Sequence, residues 1–186
     1  MTTKNFLKLL LLVTLTFILT KSIMAQEDWL KEKPRTSLQI NALEFVGKFY
    51  SIVYTNEFKS KSHLMLGLSY ENPRYDFGTT HAYAIIIGYR RYLWKDLNVE
   101  YALWPAYNSF YEKNEQKYYN GLELWGEFRI GYDFTLKIGK THWFVMPQFI
   151  LGKGLIKGNK PQSFKDYYKN EEHFFVAPNI ALGIDF

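Results

Sequence analysis

Gly121-Leu122-Glu123-Leu124-Trp125-Gly126-Glu127-Phe128-Arg129-Ile130-Gly131-Tyr132-Asp133-Phe134-Thr135-Leu136 separates into two faces when every second residue is read. The even positions carry Leu122, Leu124, Gly126, Phe128, Ile130, Tyr132, Phe134 and Leu136. The odd positions carry Gly121, Glu123, Trp125, Glu127, Arg129, Gly131, Asp133 and Thr135. A helix would mix these sets, whereas a strand places alternate side chains on opposite faces. The stretch therefore reads as one long strand with an apolar face and a charged or small face.

The last thirteen residues repeat the pattern. Phe174, Val176, Pro178, Ile180, Leu182, Ile184 and Phe186 share one face, and Phe175, Ala177, Asn179, Ala181, Gly183 and Asp185 share the other. Less regular alternation places further strands near residues 36–46, 49–58, 62–71, 80–92, 97–110 and 141–152. With 121–136 and 174–186 that makes eight strands. Tight connections are expected at Lys59-Ser60-Lys61, Lys95-Asp96 and Gly139-Lys140. Longer ones are expected at 72–79, 112–118 and 153–172, and a short one near Gly47-Lys48.

The amino terminus has a different character. Lys4 and Lys8 precede an apolar run from Leu9 to Leu19, and Ala25 closes a short segment before Gln26. This is the layout of a secretory signal peptide, with cleavage expected after Ala25. The run is too short for the roughly 20 apolar residues of a spanning helix. The expected organisation is a signal peptide at 1–25, a short polar periplasmic segment at 26–35 and a β-barrel at 36–186. No later segment is apolar enough for a membrane helix, so a mature chain seated in a membrane would have to be a closed barrel.

Composition points the same way. The 186 residues include 15 Tyr, 15 Phe and 5 Trp, yet the mean hydropathy is only -0.25. Tyr and Trp suit water–lipid boundaries, where a ring needs one apolar and one wet side. The net charge of +5 is dispersed along the chain, without the basic block of a nucleic-acid-binding protein. There is no cysteine, which excludes disulfides and thiolate metal sites.

Three features place the apolar face outward. Tyr70, Tyr83, Tyr107 and Phe174 fall near the long connections, and Phe58, Tyr89, Tyr132, Phe134, Trp143 and Phe186 near the tight ones, as two interfacial girdles would. The chain closes on Phe186 after alternating Ile180, Leu182 and Ile184. The opposite face carries Arg90, Glu100, Glu127 and Arg129, followed by Asp133, and such charges demand an interior where they pair. If turns are centred near Lys95 and near 115–116, Arg90 faces Glu100 and Arg129 lies one step diagonal to it. Trp104, Trp125 and this charge cluster would fill a narrow lumen, so no large channel is expected.

The chain resembles the small outer-membrane β-barrels of the OmpX and OmpA-transmembrane size class over about Ser37 to Phe186. The resemblance rests on the strand count, the loop asymmetry and the ending Ala181-Leu182-Gly183-Ile184-Asp185-Phe186. It implies an eight-stranded antiparallel up-and-down transmembrane barrel in a Gram-negative outer membrane, and Phe186 as part of the signal read by the barrel-assembly machinery. It also implies a monomer whose partners are outer-membrane lipid and lipopolysaccharide. Lys153, Lys157, Lys160, Lys165 and Lys169 in the last long connection suit lipopolysaccharide phosphates.

The resemblance supplies no catalytic residues and no cofactor. Lipid A deacylases, barrels of this size, carry a His-x-Ser pair, whereas His63, His81, His142 and His173 are followed by Leu-Met, Ala-Tyr, Trp-Phe and Phe-Phe. The lipid A palmitoyltransferases need His with Asp-Ser, and no Asp-Ser pair occurs. No His/Asp/Glu group has metal-ligand spacing. The expected role is structural or surface-interacting. A lipid A-modifying enzyme and a soluble lipocalin-like binder are the alternatives from other classes.

Overall fold

The computed structural model describes residues 36–139, 141–167 and 174–186; the expected signal peptide and the segment 26–35 lie outside them. The elements are β1 (Thr36–Asn41), a 3-10 turn (Leu43–Gly47), β2 (Phe49–Lys59), β3 (Ser62–Glu71), β4 (Arg74–Tyr75), β5 (Gly78–Trp94), β6 (Leu97–Glu112), β7 (Lys117–Tyr132), β8 (Phe134–Ile138), β9 (Thr141–Ile156), α1 (Gln162–Tyr167) and β10 (Phe174–Asp185). The fold is an all-β, wholly antiparallel sheet. Its ladders follow chain order, and β10 returns to pair with β1 from Ser37↔Asp185 to Asn41↔Ala181. The hydrogen bonding thus runs round in a ring, which leaves few strand edges to template aggregation.

The strand count is ten where the sequence predicts eight. β4 is two residues of the connection 72–79, paired only with the start of β5. β8 continues β7 after a break at Asp133, and both keep one register on β9: Gly131 faces Gln148, and three residues on, Phe134 faces Val145. At the break the Asp133 N–H bonds Asp96 O at 3.1 Å, and its side chain accepts hydrogen bonds from Tyr92 Oη at 2.9 Å and Thr135 Oγ1 at 3.0 Å.

Other boundaries also shift. The expected strand 36–46 ends at Asn41, and 43–47 tightens into the 3-10 turn, closed by Lys48 at φ 63°. β9 runs on to Ile156, and α1 occupies part of the connection 153–172 that alternation leaves blank. The connection 112–118 shrinks to residues 113–116, with Gln116 at φ 51°. Lys61 and Lys95, at φ 63° and 49°, close two-residue hairpins, and the flanking ladders shift register between Glu57/Lys59 and Tyr92/Trp94. Such bulges absorb the mismatch between turn and strand twist.

The three strand prolines sit where a missing N–H costs nothing. Pro105 falls in the gap between Ala84↔Ala106 and Ile87↔Leu103 of the β5–β6 ladder. Pro147 lies opposite the β7/β8 break. Pro178 comes two residues before Ile180, whose carbonyl takes the last bond from this side, Ala42 N–H at 2.8 Å. Its nitrogen faces a position that β1 has already vacated.

Burial follows the alternation. Leu64, Leu66 and Leu68 of β3 are exposed while Met65 and Ser69 are buried, and β2, β5, β6, β7 and β9 behave likewise. Inward apolar residues mix small and large: Val53, Met65, Ala84, Ile86, Ala102 and Ala106 pack around Trp104, and Phe144, Met146 and Ala181 form a second group. Small neighbours leave room for the large rings inside a narrow ring. Phe134, expected among the exposed girdle, is 6% exposed, with its ring 4.9 Å from that of Tyr132.

Candidate functional site

The inner face carries a continuous polar circuit. Arg90 on β5 pairs with Glu100 on β6 at 2.6 Å and donates from Nη2 to Gln39 Oε1 on β1 at 2.5 Å. Gln148 Nε2 on β9 donates to the same Glu100 oxygen at 2.9 Å. Asn179 Nδ2 on β10 donates to Gln148 Oε1 at 2.9 Å and to Asn41 Oδ1 at 3.1 Å. Asn41 donates to Ser51 Oγ at 2.9 Å, and Ser51 donates to Glu44 Oε2 at 3.1 Å. Glu44 Oε1 receives Arg129 Nη2 at 2.9 Å, and Arg129 also binds Glu127 at 2.6 Å. Seven strands and the 3-10 turn are tied together by neighbouring side chains.

The structure places Arg90, Glu100, Glu127 and Arg129 on the inner face, all buried. Arg90 lies opposite Glu100, as turn counting suggests. Arg129 is a correction. It stands directly opposite Glu100 rather than diagonal to it, because the β6–β7 turn sits about one residue earlier than 115–116. Its bonded partners are nevertheless Glu127 and Glu44, and its guanidinium also lies 5.6 Å from the Trp104 ring centroid. Phe186 is exposed, with its N–H bonded to Thr36 O at 2.9 Å.

Several participants escape a sequence reading. Gln39 and Asn41 share parity with Ser37 on β1, so extending the alternation into that strand would have found them. Glu44 breaks parity because it sits in the turn. Burial raises its carboxyl pKa, and the Arg129 charge opposes the shift without cancelling it. Lys160, read from sequence as a surface lysine, folds inward to Glu123 at 2.6 Å and lies 4.6 Å from the Phe164 ring centroid. Burial lowers its pKa, and Glu123 opposes that shift.

Above the circuit, toward the α1 end, the interior opens into a cavity of about 430 Å³. Trp104 and Trp125 line it without filling it. Trp104 Nε1 and Asn108 Oδ1, on buried residues that line this space, have no hydrogen-bond partner among the described residues. The described histidines are dispersed: His63 packs its ring edge on Tyr92 at 5.3 Å, His81 Nδ1 meets Tyr70 Oη at 3.0 Å, and His142 lies opposite Asp185. His173 lies outside the described residues. Among the described residues no group of three or more His, Asp or Glu could hold a metal ion. The cluster pairs guanidiniums with carboxylates and links them through amides and the Ser51 hydroxyl, which donates to Glu44. Its chemistry is pairing, and the cavity's is binding.

No family model, no curated protein and no solved structure matches the chain.

Proposed function

We propose that the chain is an outer-membrane β-barrel of a Gram-negative cell, with a structural or surface-interaction role. In this reading β7 and β8 form one wall, β4 belongs to a loop, and eight walls close the barrel. The single observation that carries it is the inversion of polarity: large aliphatic residues point out and ion pairs point in. Leu66, Leu68, Ile87, Ile130 and Phe149 are all exposed, whereas Arg90 and Glu100 are almost wholly enclosed. In water such a belt would be an aggregation hazard, while in a bilayer it is the solvent-facing surface. Rings flank the belt, with Tyr83 and Tyr107 toward one end and Phe58, Trp94 and Trp143 toward the other. A lipocalin-like binder would carry the opposite polarity.

The same reading keeps residues 1–25 as an export signal, the barrel-assembly machinery as a transient partner through Phe186, and a monomer as the working form. Lys157 and Lys165 are exposed and available to lipopolysaccharide phosphates; Lys160 is committed to Glu123.

Fractionation with a gel of unboiled and boiled samples tests the proposal. The expected result is recovery in the outer membrane and a band that changes mobility only after boiling. Recovery in the soluble periplasmic fraction would overturn it.

A further inference from the structure

The ring has a weak side. β1 pairs with β10 only as far as Asn41↔Ala181 and with β2 only as far as Ile40↔Ile52. Beyond these rungs, residues 174–179 of β10 and 49–51 of β2 have no β1 partner, and the 3-10 turn occupies the seam between them. The cavity reaches this seam, because its lining includes Leu43 and Phe49 on one flank and Phe174, Phe175 and Pro178 on the other. Phe174 and Pro178 belong to the outward set of β10, so a cavity touching them passes through the wall. Phe175, inward by parity, is still 37% exposed. Phe164 of α1 and the Lys160–Glu123 pair lie over the cavity, and the Arg129–Glu127–Glu44 group lies beneath.

The lining chemistry narrows the occupant. The volume falls within the roughly 300–1,000 Å³ of small-molecule sites. Trp104 offers an unused donor and Asn108 an unused acceptor, and a buried polar atom without a partner costs stability until something meets it. Both side chains line one cavity, one as a donor and one as an acceptor, so a head that carries both a carbonyl acceptor and a hydroxyl donor suits them. Glu44, Glu71, Glu123 and Glu127 line the space against Lys157 and Lys160, with Arg129 already paired below, so an anionic head meets more carboxylate than cation.

We propose that this cavity binds an uncharged single-chain lipid of the monoacylglycerol type, admitted sideways from the bilayer through the β1–β10 seam. Its ester carbonyl accepts from Trp104 Nε1–H, its hydroxyl donates to Asn108 Oδ1, and its chain runs out past Leu43 and Phe175. The inference rests on the membrane reading above, and the test separates the two. The full chain is reconstituted in phosphatidylcholine vesicles with monolauroylglycerol carrying a photoreactive group on its acyl chain, and labelled residues are mapped by mass spectrometry. Flotation with the vesicles and heat-modifiability check the membrane reading first; if either fails, that reading falls and this one with it. Given both, the expected labels are inner-face residues of β6 and β7 together with seam residues of β10. Asn108→Leu should lower inner labelling about fivefold, the worth of one hydrogen bond, and Ala177→Trp, which fills the lining, should abolish it while outer-face labelling persists. A photoreactive dodecanoate should label the interior far less. Labels confined to the outer face, unchanged inner labelling in both folded variants, or equal inner labelling by the carboxylate would each overturn the proposal.

Discussion

Glu44 meets Arg129 at 2.9 Å across 85 positions of chain. One comes from a turn at the start of the fold and the other from its longest alternating stretch. Glu44 holds a carboxyl pKa raised above 4.5, because burial outweighs the neighbouring guanidinium. An acid whose folded pKa is raised binds more protons folded than unfolded. Its contribution to stability is therefore intact below the unfolded value and declines as pH rises toward the folded value. Glu44→Gln lacks this decline. Its stability relative to the parent should increase as pH rises above 4.5, read from urea titrations in vesicles at several pH values. A relative stability that falls over that range would reverse the assignment.

The lower pair gives a second prediction. Arg90→Leu strands Glu100 in the interior, where it retains Gln148 but loses its cation. Removing one partner of a buried pair costs about 3–5 kcal/mol. The double variant Arg90→Leu with Glu100→Gln should recover part of that loss, because the unpaired charge is gone. A double variant less stable than the single one in the same titration would mean that Glu100 is not held by Arg90.

Much of this arrangement was legible in the sequence. Strict alternation between Gly121 and Tyr132 fixes which residues share a face, and turn counting places Arg90 opposite Glu100. Parity fails where the backbone leaves the sheet. Glu44 and Lys160 reach the interior from a 3-10 turn and a loop, whose paths follow from packing rather than period. At the Asp133 break the side chain meets Tyr92, some forty residues earlier, a contact that alternation does not reveal. The seam was equally hidden, since residues 42–46 continue a plausible strand until the ladder is seen to stop at Asn41.

Close backbone approach supplies a third prediction. A Cβ on Gly67 would stand 2.6 Å from Ile52 O and 3.0 Å from Val53 Cγ2. Neither neighbour is the free end of a long side chain, so the β2–β3 ladder must give. Gly67→Ala should cost about 1–3 kcal/mol, the usual range for overpacking, seen as a lower urea midpoint. An unchanged midpoint would show that the ladder is looser than its register implies.

Phe186 concerns assembly rather than stability. Its ring is exposed, and its bond to Thr36 runs through the backbone. Deleting it should reduce the heat-modifiable outer-membrane form in cells while export to the periplasm continues. Undiminished outer-membrane levels would remove the terminus from the assembly signal.

The central claim is that the apolar face meets lipid, and Ile130 tests it most directly. It is 42% exposed on β7, next to the buried Arg129. Arg at a lipid-facing midplane position costs about 2–4 kcal/mol, falling toward zero at the interfaces. Equilibrium unfolding of Ile130→Arg in phosphatidylcholine vesicles should therefore show a loss of that order against the parent chain. A variant as stable as the parent, in a protein that also stays folded without lipid, would contradict the claim.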